Sequence, residues 1–475
     1  MNHPKVALMT FGDARKHEWE NLFRGLTEPR HKRMVEYLQA LPIELHAFDE
    51  VARTRGEIDG QVDQLRAASV EALVAHVPCW TGPNLVVRGV QRMDLPTVLV
   101  SNKHPGTHGT VGLLGAGGAL DQIGYPHLRI RESFDTSALA DKILPFLRAA
   151  SVVAQMRGRV FGLFGGRSLG IDTGTFDPMQ WRRLFGVDVE HIDQLEIIRR
   201  AEGIGRESEA GMVAWLEESA ASVDYDGQRL TPERLGFQCR CYLATKQIIE
   251  ELGLDFVAIK CMPDLTTHYV PQCLSAALLP GPYDAQGEKA PVPMACEADG
   301  DGALTMQILG LVSGGKPTLF GDLSYLDEEA STIYIPNCGA MCSWYAARAN
   351  DPAENLAKVE LRPSFRPGGG ATTYFKAARG PVTLARLFRR AGRYVMAIFA
   401  GEAIEPSPEA YQTFVQARGS HQLPTMFVRV SLDFDELVDE FGSNHISAVD
   451  GTYVQELEHV CRLFDITPVV LRERP

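Results

Sequence analysis

Val292-Pro-Met-Ala-Cys-Glu297 and Pro317-Thr-Leu-Phe-Gly-Asp322 are two short apolar runs, each ending on a carboxylate, with a helical stretch at 303–312 between them. Strand, helix and strand in that order predict a parallel unit that brings the carboxyl ends of both strands to one sheet edge, where crevices form. Glu297 and Asp322 are then expected to face one cavity. Two carboxylates that close share either a cation or a proton, because both cannot stay ionised unscreened in a dry site. The competing reading is a pair of surface acids, with Glu297 capping the helix that follows. Asp301, directly before the helical run, fits the capping duty better and leaves Glu297 free.

Outward from this segment the chain reads as α/β. Apolar runs at 6–11, 72–77 and 97–101 alternate with amphipathic stretches at 33–41 and 58–68, a doubly wound pattern. The glycine-rich stretch after Gly109 reads as a closely packed helix; it lacks the glycine spacing of a dinucleotide fingerprint. A fresh strand at 160–164, after a helical connector at 144–156, opens a second unit that continues through 255–260 and holds both acids. From about residue 353 short strand-like runs separated by Gly and Pro predict a β-rich region. The expected organisation is therefore two Rossmann-like doubly wound domains, 1–152 and 153–350, followed by a β-rich, barrel-like domain over 351–475.

A chain of 475 residues exceeds what one core usually supports. A net charge of -13 argues against a nucleic-acid or anionic-membrane partner and favours a small molecule. The amino terminus reads as a first core strand without a secretory signal, and no apolar run is long enough to span a bilayer, so a cytoplasmic location is expected. Nine cysteines without a CxxC pair read as reduced core thiols, the Cys239/Cys241 and Cys338/Cys342 pairs included.

Other residues carry chemistry if the fold gathers them. His445, in Phe441-Gly-Ser-Asn-His445, is predicted to lie in an irregular loop; with two carboxylates it would leave open positions on a cation such as Mn²⁺ or Mg²⁺. Arg15 follows the first strand at its carboxyl end, where ligand contacts gather; a surface arginine is the plainer alternative. Trp80 ends another strand in a rigid Pro-rich loop, as a sugar-packing face or as core. The basic cluster Arg362, Arg366, Lys376 and Arg379 reads first as a solvated rim and second as an anion site.

Taken together, Gly166-Arg-Ser-Leu-Gly170, Asp177-Pro-Met-Gln-Trp181, 185–193, Cys296-Glu-Ala-Asp-Gly-Asp-Gly-Ala-Leu-Thr305 and Ser443-Asn-His445 resemble the L-fucose isomerase branch of the L-fucose and L-arabinose isomerase family, in an order that spans nearly the whole chain. The resemblance implies a manganese-dependent aldose–ketose isomerase, with Mg²⁺ or Co²⁺ as alternative ions. It implies a hexamer or similar homo-oligomer with active sites at subunit interfaces. Metal ligands would be Glu297, Asp322 and His445, with both carboxylates catalytic; Arg15, Trp80 and Asn444 would touch the sugar, the Trp coming from a neighbouring subunit. The chain is shorter than classical bacterial fucose isomerases, and Ser420-His-Gln-Leu-Pro424 does not reproduce their aromatic-lined segment. L-fucose, D-arabinose or an anionic sugar such as sulfoquinovose are the expected substrates. Rivals are a metal-dependent aldolase and a non-catalytic sugar-binding protein.

Overall fold

The computed structural model describes residues 3–104, 106–134, 136–417 and 423–472. They fall into two compact units: one runs to Gln155 and takes in Gln455–Phe464, the other holds Met156–Val454 and the chain from Asp465.

The first unit is built on a five-stranded sheet, ordered Glu44–His46, Lys5–Thr10, Ala72–His76, Thr97–Asn102 and His127–Glu132, with every pairing parallel. Successive residues of one strand point to opposite faces, and both faces are buried. Val6 and Leu8 pack with Met34, Leu38 and Ile143 on one side. Ala7, Met9 and Phe11 pack with Ile58, Val62 and Val86 on the other. The glycine-rich stretch forms the Gly109–Gln122 helix, held so close to the sheet that a Cβ on Gly112 would stand 2.6 Å from the Cys79 carbonyl oxygen. The strand order reverses beside the first strand, which opens a crevice at the carboxyl ends of Lys5–Thr10 and Ala72–His76.

The second unit holds a four-stranded parallel sheet ordered Met294–Ala295, Phe256–Ile259, Val160–Phe164 and Asp188–Ile192. It also holds an eight-stranded, mostly antiparallel sheet ordered Thr318–Asp322, His445–Asp450, Gly380–Arg390, Arg393–Ala403, Thr425–Arg429, Thr332–Pro336 and Tyr325–Asp327, with Thr467–Val470 joining Arg393–Ala403 in parallel. Strands from both sides of residue 350 thus share one sheet.

This corrects the reading of the segment around Glu297. The two acid-tipped strands do not lie in one parallel sheet: Met294–Ala295 pairs with Phe256–Ile259, whereas Thr318–Asp322 pairs antiparallel with His445–Asp450. The cause lies in the Gly300–Val312 helix, which is apolar on all sides and buried through almost its whole length. Such a helix is covered on both flanks. The strand it leads into joins the sheet on its far side instead of returning to the one it left.

Candidate active site

Glu297 is delivered by an unusual turn. Glu297 and Ala298 both adopt left-handed backbone conformations, with φ of 58° and 55°. Two consecutive non-glycine residues in that region cost on the order of 1–3 kcal/mol each, and they persist only where the surroundings enforce them. The Ala298 amide donates to the Ile259 carbonyl at 2.8 Å, tying the turn to the neighbouring parallel strand. Asp322 and His445 arrive differently. They are direct cross-strand partners in the antiparallel ladder, so their side chains leave the same face. His445 is the first residue of its strand and is buried, not part of an irregular loop; the loop ends at Asn444. Gly442 and Ser443 before it and the Gly451 turn after it suggested an irregular loop, but Ile446 to Val449 are buried strand residues that carry His445 with them.

The three groups meet. His445 Nε2 lies 3.0 Å from Glu297 Oε2 and 3.6 Å from Asp322 Oδ1. Ligands held about 2.1 Å from a cation at adjacent octahedral corners stand about 3 Å apart, so these separations suit neighbouring positions around one ion. Among the described residues no group of three or more His, Cys, Asp or Glu side chains, these three included, is already arranged as it would be around a metal ion; His445 instead lies against each of the two carboxylates. The donor types suit a hard or borderline divalent ion.

Behind His445 stands a residue the sequence reading used only as a neighbour. Asp299 is fully buried, and its Oδ2 lies 2.6 Å from His445 Nδ1. Arg386, itself fully buried, donates to both oxygens of the same carboxylate at 2.6 and 3.0 Å. Burial alone would raise the Asp299 carboxyl, but the Arg386 charge and the His445 bond outweigh it and hold it at about 2. An ionised Asp299 fixes the proton on Nδ1 and leaves Nε2 as the end available to a metal, the usual second layer behind a ligating histidine. Burial would likewise lower His445, yet the bonds to Asp299 and Glu297 lift it to about 9 in the metal-free protein. Arg386 was the available signal: a charged residue inside the buried strand Gly380–Arg390 requires a buried partner.

Asp299 also corrects the cap assignment. It is the residue before the Gly300–Val312 helix and accepts from the Gly302 amide at 2.8 Å. Asp301 sits inside the first turn, fully enclosed, where burial pushes its carboxyl up to about 7 and the Tyr394 hydroxyl donates to it at 2.7 Å. Trp181 Nε1 donates to that hydroxyl in turn at 2.6 Å. Two of the quoted motifs, Asp177-Pro-Met-Gln-Trp181 and 296–305, thus meet through Tyr394. Asp177 itself caps the Pro178–Phe185 helix.

The remaining site residues divide between the units. Asn444 adjoins His445 in the second unit, is exposed, and accepts from the Thr173 hydroxyl at 3.2 Å. Arg15 and Trp80 lie in the first unit, where both line a cavity of about 510 Å³ at the crevice described above. Arg15 is held by Asp13 through Nε at 3.0 Å and Nη2 at 2.6 Å. Trp80 is half-buried against Trp19, Phe23 and Cys79. Two of the four residues of the basic cluster of the β-rich region are ion-paired: Arg362 pairs with Glu360 and covers the Tyr374 ring, and Lys376 pairs with Glu405. All nine cysteines are free thiols, eight of them buried. No helix among the described residues is long and apolar enough to cross a membrane. Residues 420–422 of the divergent segment lie outside the described residues.

Comparison with known proteins now adds to this geometry. Residues 3–158 match the first N-terminal domain of L-fucose isomerase and residues 335–471 match its C-terminal domain. The chain belongs to the L-fucose isomerase family. Similar proteins include the sulfoquinovose isomerase of Alkalicoccus urumqiensis, 24% identical over 84% of this chain and 86% of the relative. The sulfoquinovose isomerase of Priestia megaterium is 20% identical over 93% and 94%. The L-fucose isomerase of Phocaeicola vulgatus is 36% identical over 67% and 66%. Membership of the L-fucose isomerase family makes this chain an aldose–ketose sugar isomerase.

Proposed function

We propose that this isomerase interconverts an aldose and its ketose through a cis-enediolate, using a divalent cation held by Glu297, Asp322 and His445. The observation that carries the reading is the contact of His445 Nε2 with both carboxylates while Asp299 occupies Nδ1. Mn²⁺ is the first candidate, with Mg²⁺ and Co²⁺ as alternatives; when bound, the ion would polarise the sugar carbonyl as a Lewis acid.

The chain's own groups do the proton chemistry. One of Glu297 and Asp322 takes the proton from the carbon beside the carbonyl and returns it to the adjacent carbon, while the other moves a hydroxyl proton. The cross-strand ladder fixes Asp322 and His445, and the Glu297 turn supplies the opposing carboxylate. Asn444, Arg15 and Trp80 orient the sugar in this reading, and the active assembly is a homo-oligomer, a hexamer in the first instance.

Replacing Glu297 with Gln is expected to lower turnover by about 10²–10⁴-fold while the circular dichroism spectrum and melting stay near those of the parent. Activity is read on aldoses and ketoses supplied with manganese, including deoxy, pentose and sulfonated sugars. Full activity in that variant rules the proposal out. Deuterium uptake from heavy water without carbon-chain cleavage separates isomerisation from an aldolase reaction. Among substrates, an anionic sugar is supported as well as L-fucose, because the sulfoquinovose isomerases match over most of this chain.

A further inference from the structure

Thiols gather behind the Glu297 turn, all of them inside the second unit. Cys338 lies on the loop after the Thr332–Pro336 strand and is the one cysteine of the chain that is not fully buried. Its Sγ stands 3.9 Å from the Sγ of Cys296, the residue directly before Glu297. Its carbonyl accepts from the Cys273 thiol at 3.7 Å. Cys273 is thus already turned to the backbone, whereas Cys296 and Cys338 meet sulfur to sulfur. A partly exposed thiol touching a buried one has the two parts of a redox pair, one sulfur that an oxidant reaches and one that resolves the product.

The two sulfurs are carried by unlike backbones. Cys338 is anchored on both sides: the Asn337 amide donates to the Pro424 carbonyl at 3.0 Å, the Asn337 side chain accepts from the Ala340 amide at 3.0 Å, and the Gly339 carbonyl accepts from the Thr373 hydroxyl at 3.0 Å. Cys296 follows the two-residue Met294–Ala295 strand and leads into the left-handed pair Glu297 and Ala298, with its carbonyl accepting from the Asp299 amide at 3.2 Å. A disulfide needs about 2.05 Å between the sulfurs, so a pair now 3.9 Å apart closes by about 1.9 Å. That movement falls on the strained turn and not on the anchored loop.

We infer that Cys296 and Cys338 are a thiol switch of this isomerase, joined by a hydroperoxide into a disulfide that draws the turn toward Cys338 and takes Glu297 away from His445. The Cys338 sulfur attacks one peroxide oxygen, the O–O bond breaks, and Cys338 becomes a sulfenic acid while water or an alcohol leaves. The Cys296 sulfur then displaces the hydroxyl from Cys338, forming the S–S bond and releasing water. Two thiols give up two electrons and two protons, and the hydroperoxide takes up both. A dithiol reductant reverses the step by exchange. The inference rests on the reading that Glu297 serves the reaction.

The test treats the full-length, manganese-supplied protein with hydrogen peroxide, blocks the remaining thiols by alkylation and maps disulfide-linked peptides by mass spectrometry. Turnover is read on the same sugar panel, before and after dithiothreitol. The parent is expected to yield a linked peptide joining Cys296 to Cys338, to lose about tenfold to 10²-fold in turnover, as a small misplacement of a reacting group does, and to regain it on reduction. Cys338→Ser is expected to keep its basal turnover and to resist the same peroxide dose; Cys338→Ala serves if serine unsettles the loop. Absence of the linked peptide, a link from Cys338 to Cys273, a variant as sensitive as the parent, or a disulfide that leaves turnover unchanged overturns the switch. The two readings fail separately. If Glu297→Gln is fully active while the link forms and turnover falls reversibly, the role of Glu297 falls and the thiol switch stands. If Glu297→Gln is inactive and no link forms, the thiol switch alone falls.

Discussion

At the scale of the residue, the site turns on which nitrogen of His445 carries its proton. Asp299 decides this, and it does so because Arg386 keeps it ionised in a fully buried position. Asp299→Asn removes the charge that fixes Nδ1–H and strands Arg386 without a counter-ion. Metal retention, read by competition with a chelator, is expected to weaken by about 10- to 100-fold. The same change is expected to cost about 3–5 kcal/mol of stability in denaturant unfolding, since one partner of a buried ion pair is lost. Unchanged metal affinity in a folded variant would show that Asp299 does not position the ligand. Asp299 was hidden in the sequence because three acids crowd 297–301, and only burial and long-range partners tell the proposed ligand Glu297 from the ion-paired Asp299 and the enclosed Asp301. Glu297 and Asp322 could be proposed from sequence because a carboxylate ending an apolar run is a local signal; Arg386 in an apolar strand is an equally local one.

Among elements, the Gly300–Val312 helix governs the geometry. Its first turn is packed against Arg386 and Phe320 so closely that a Cβ on Gly302 would stand 2.7 Å from Arg386 Nη1 and 2.6 Å from Phe320 Cε2. Gly302→Ala is therefore expected to destabilise the protein by about 1–3 kcal/mol, despite the better helix propensity of alanine. A shift in the urea midpoint measures it, and a stabilised variant would contradict the packing described. The helix and the apolar strands around it were visible in the hydrophobic pattern. Their sheet membership was not: a buried run such as Thr318–Gly321 reads alike in a parallel sheet and in an antiparallel one, and pairing with His445–Asp450 depends on residues more than a hundred positions away.

On the scale of the whole molecule, the clustered titrating groups make stability depend on pH. His445 is raised from 6.5 to about 9, so its contribution is fully present below pH 6.5 and is lost as pH rises through about 9. Asp301, raised from 3.8 to about 7, likewise contributes below 3.8 and loses that contribution through about 7. Metal-free protein is thus expected to lose stability on going from pH 6.5 to 9, and His445→Asn is expected to flatten that slope. Urea unfolding across that range, after treatment with a chelator, provides the check; an equal slope in the variant would remove His445 as the cause. The doubly wound first unit and the β-rich carboxyl-terminal region followed from alternating periodicities. The shared eight-stranded sheet, joining strands from either side of residue 350, did not, because no local pattern records which strands close a ladder.

The two jaws of the site are made differently. Asp322 and His445 are locked in register by backbone bonds on adjacent strands, whereas Glu297 arrives on a pair of left-handed residues. A cation of larger or smaller radius seated there would meet one wall fixed by strand pairing and one fixed by a strained turn tied to the parallel sheet. Under the proposed metal reading, discrimination between ions would depend on how firmly the turn at 297–298 is held, and substitutions that relax it would broaden the range of metals accepted before they disturb the strands of the eight-stranded sheet.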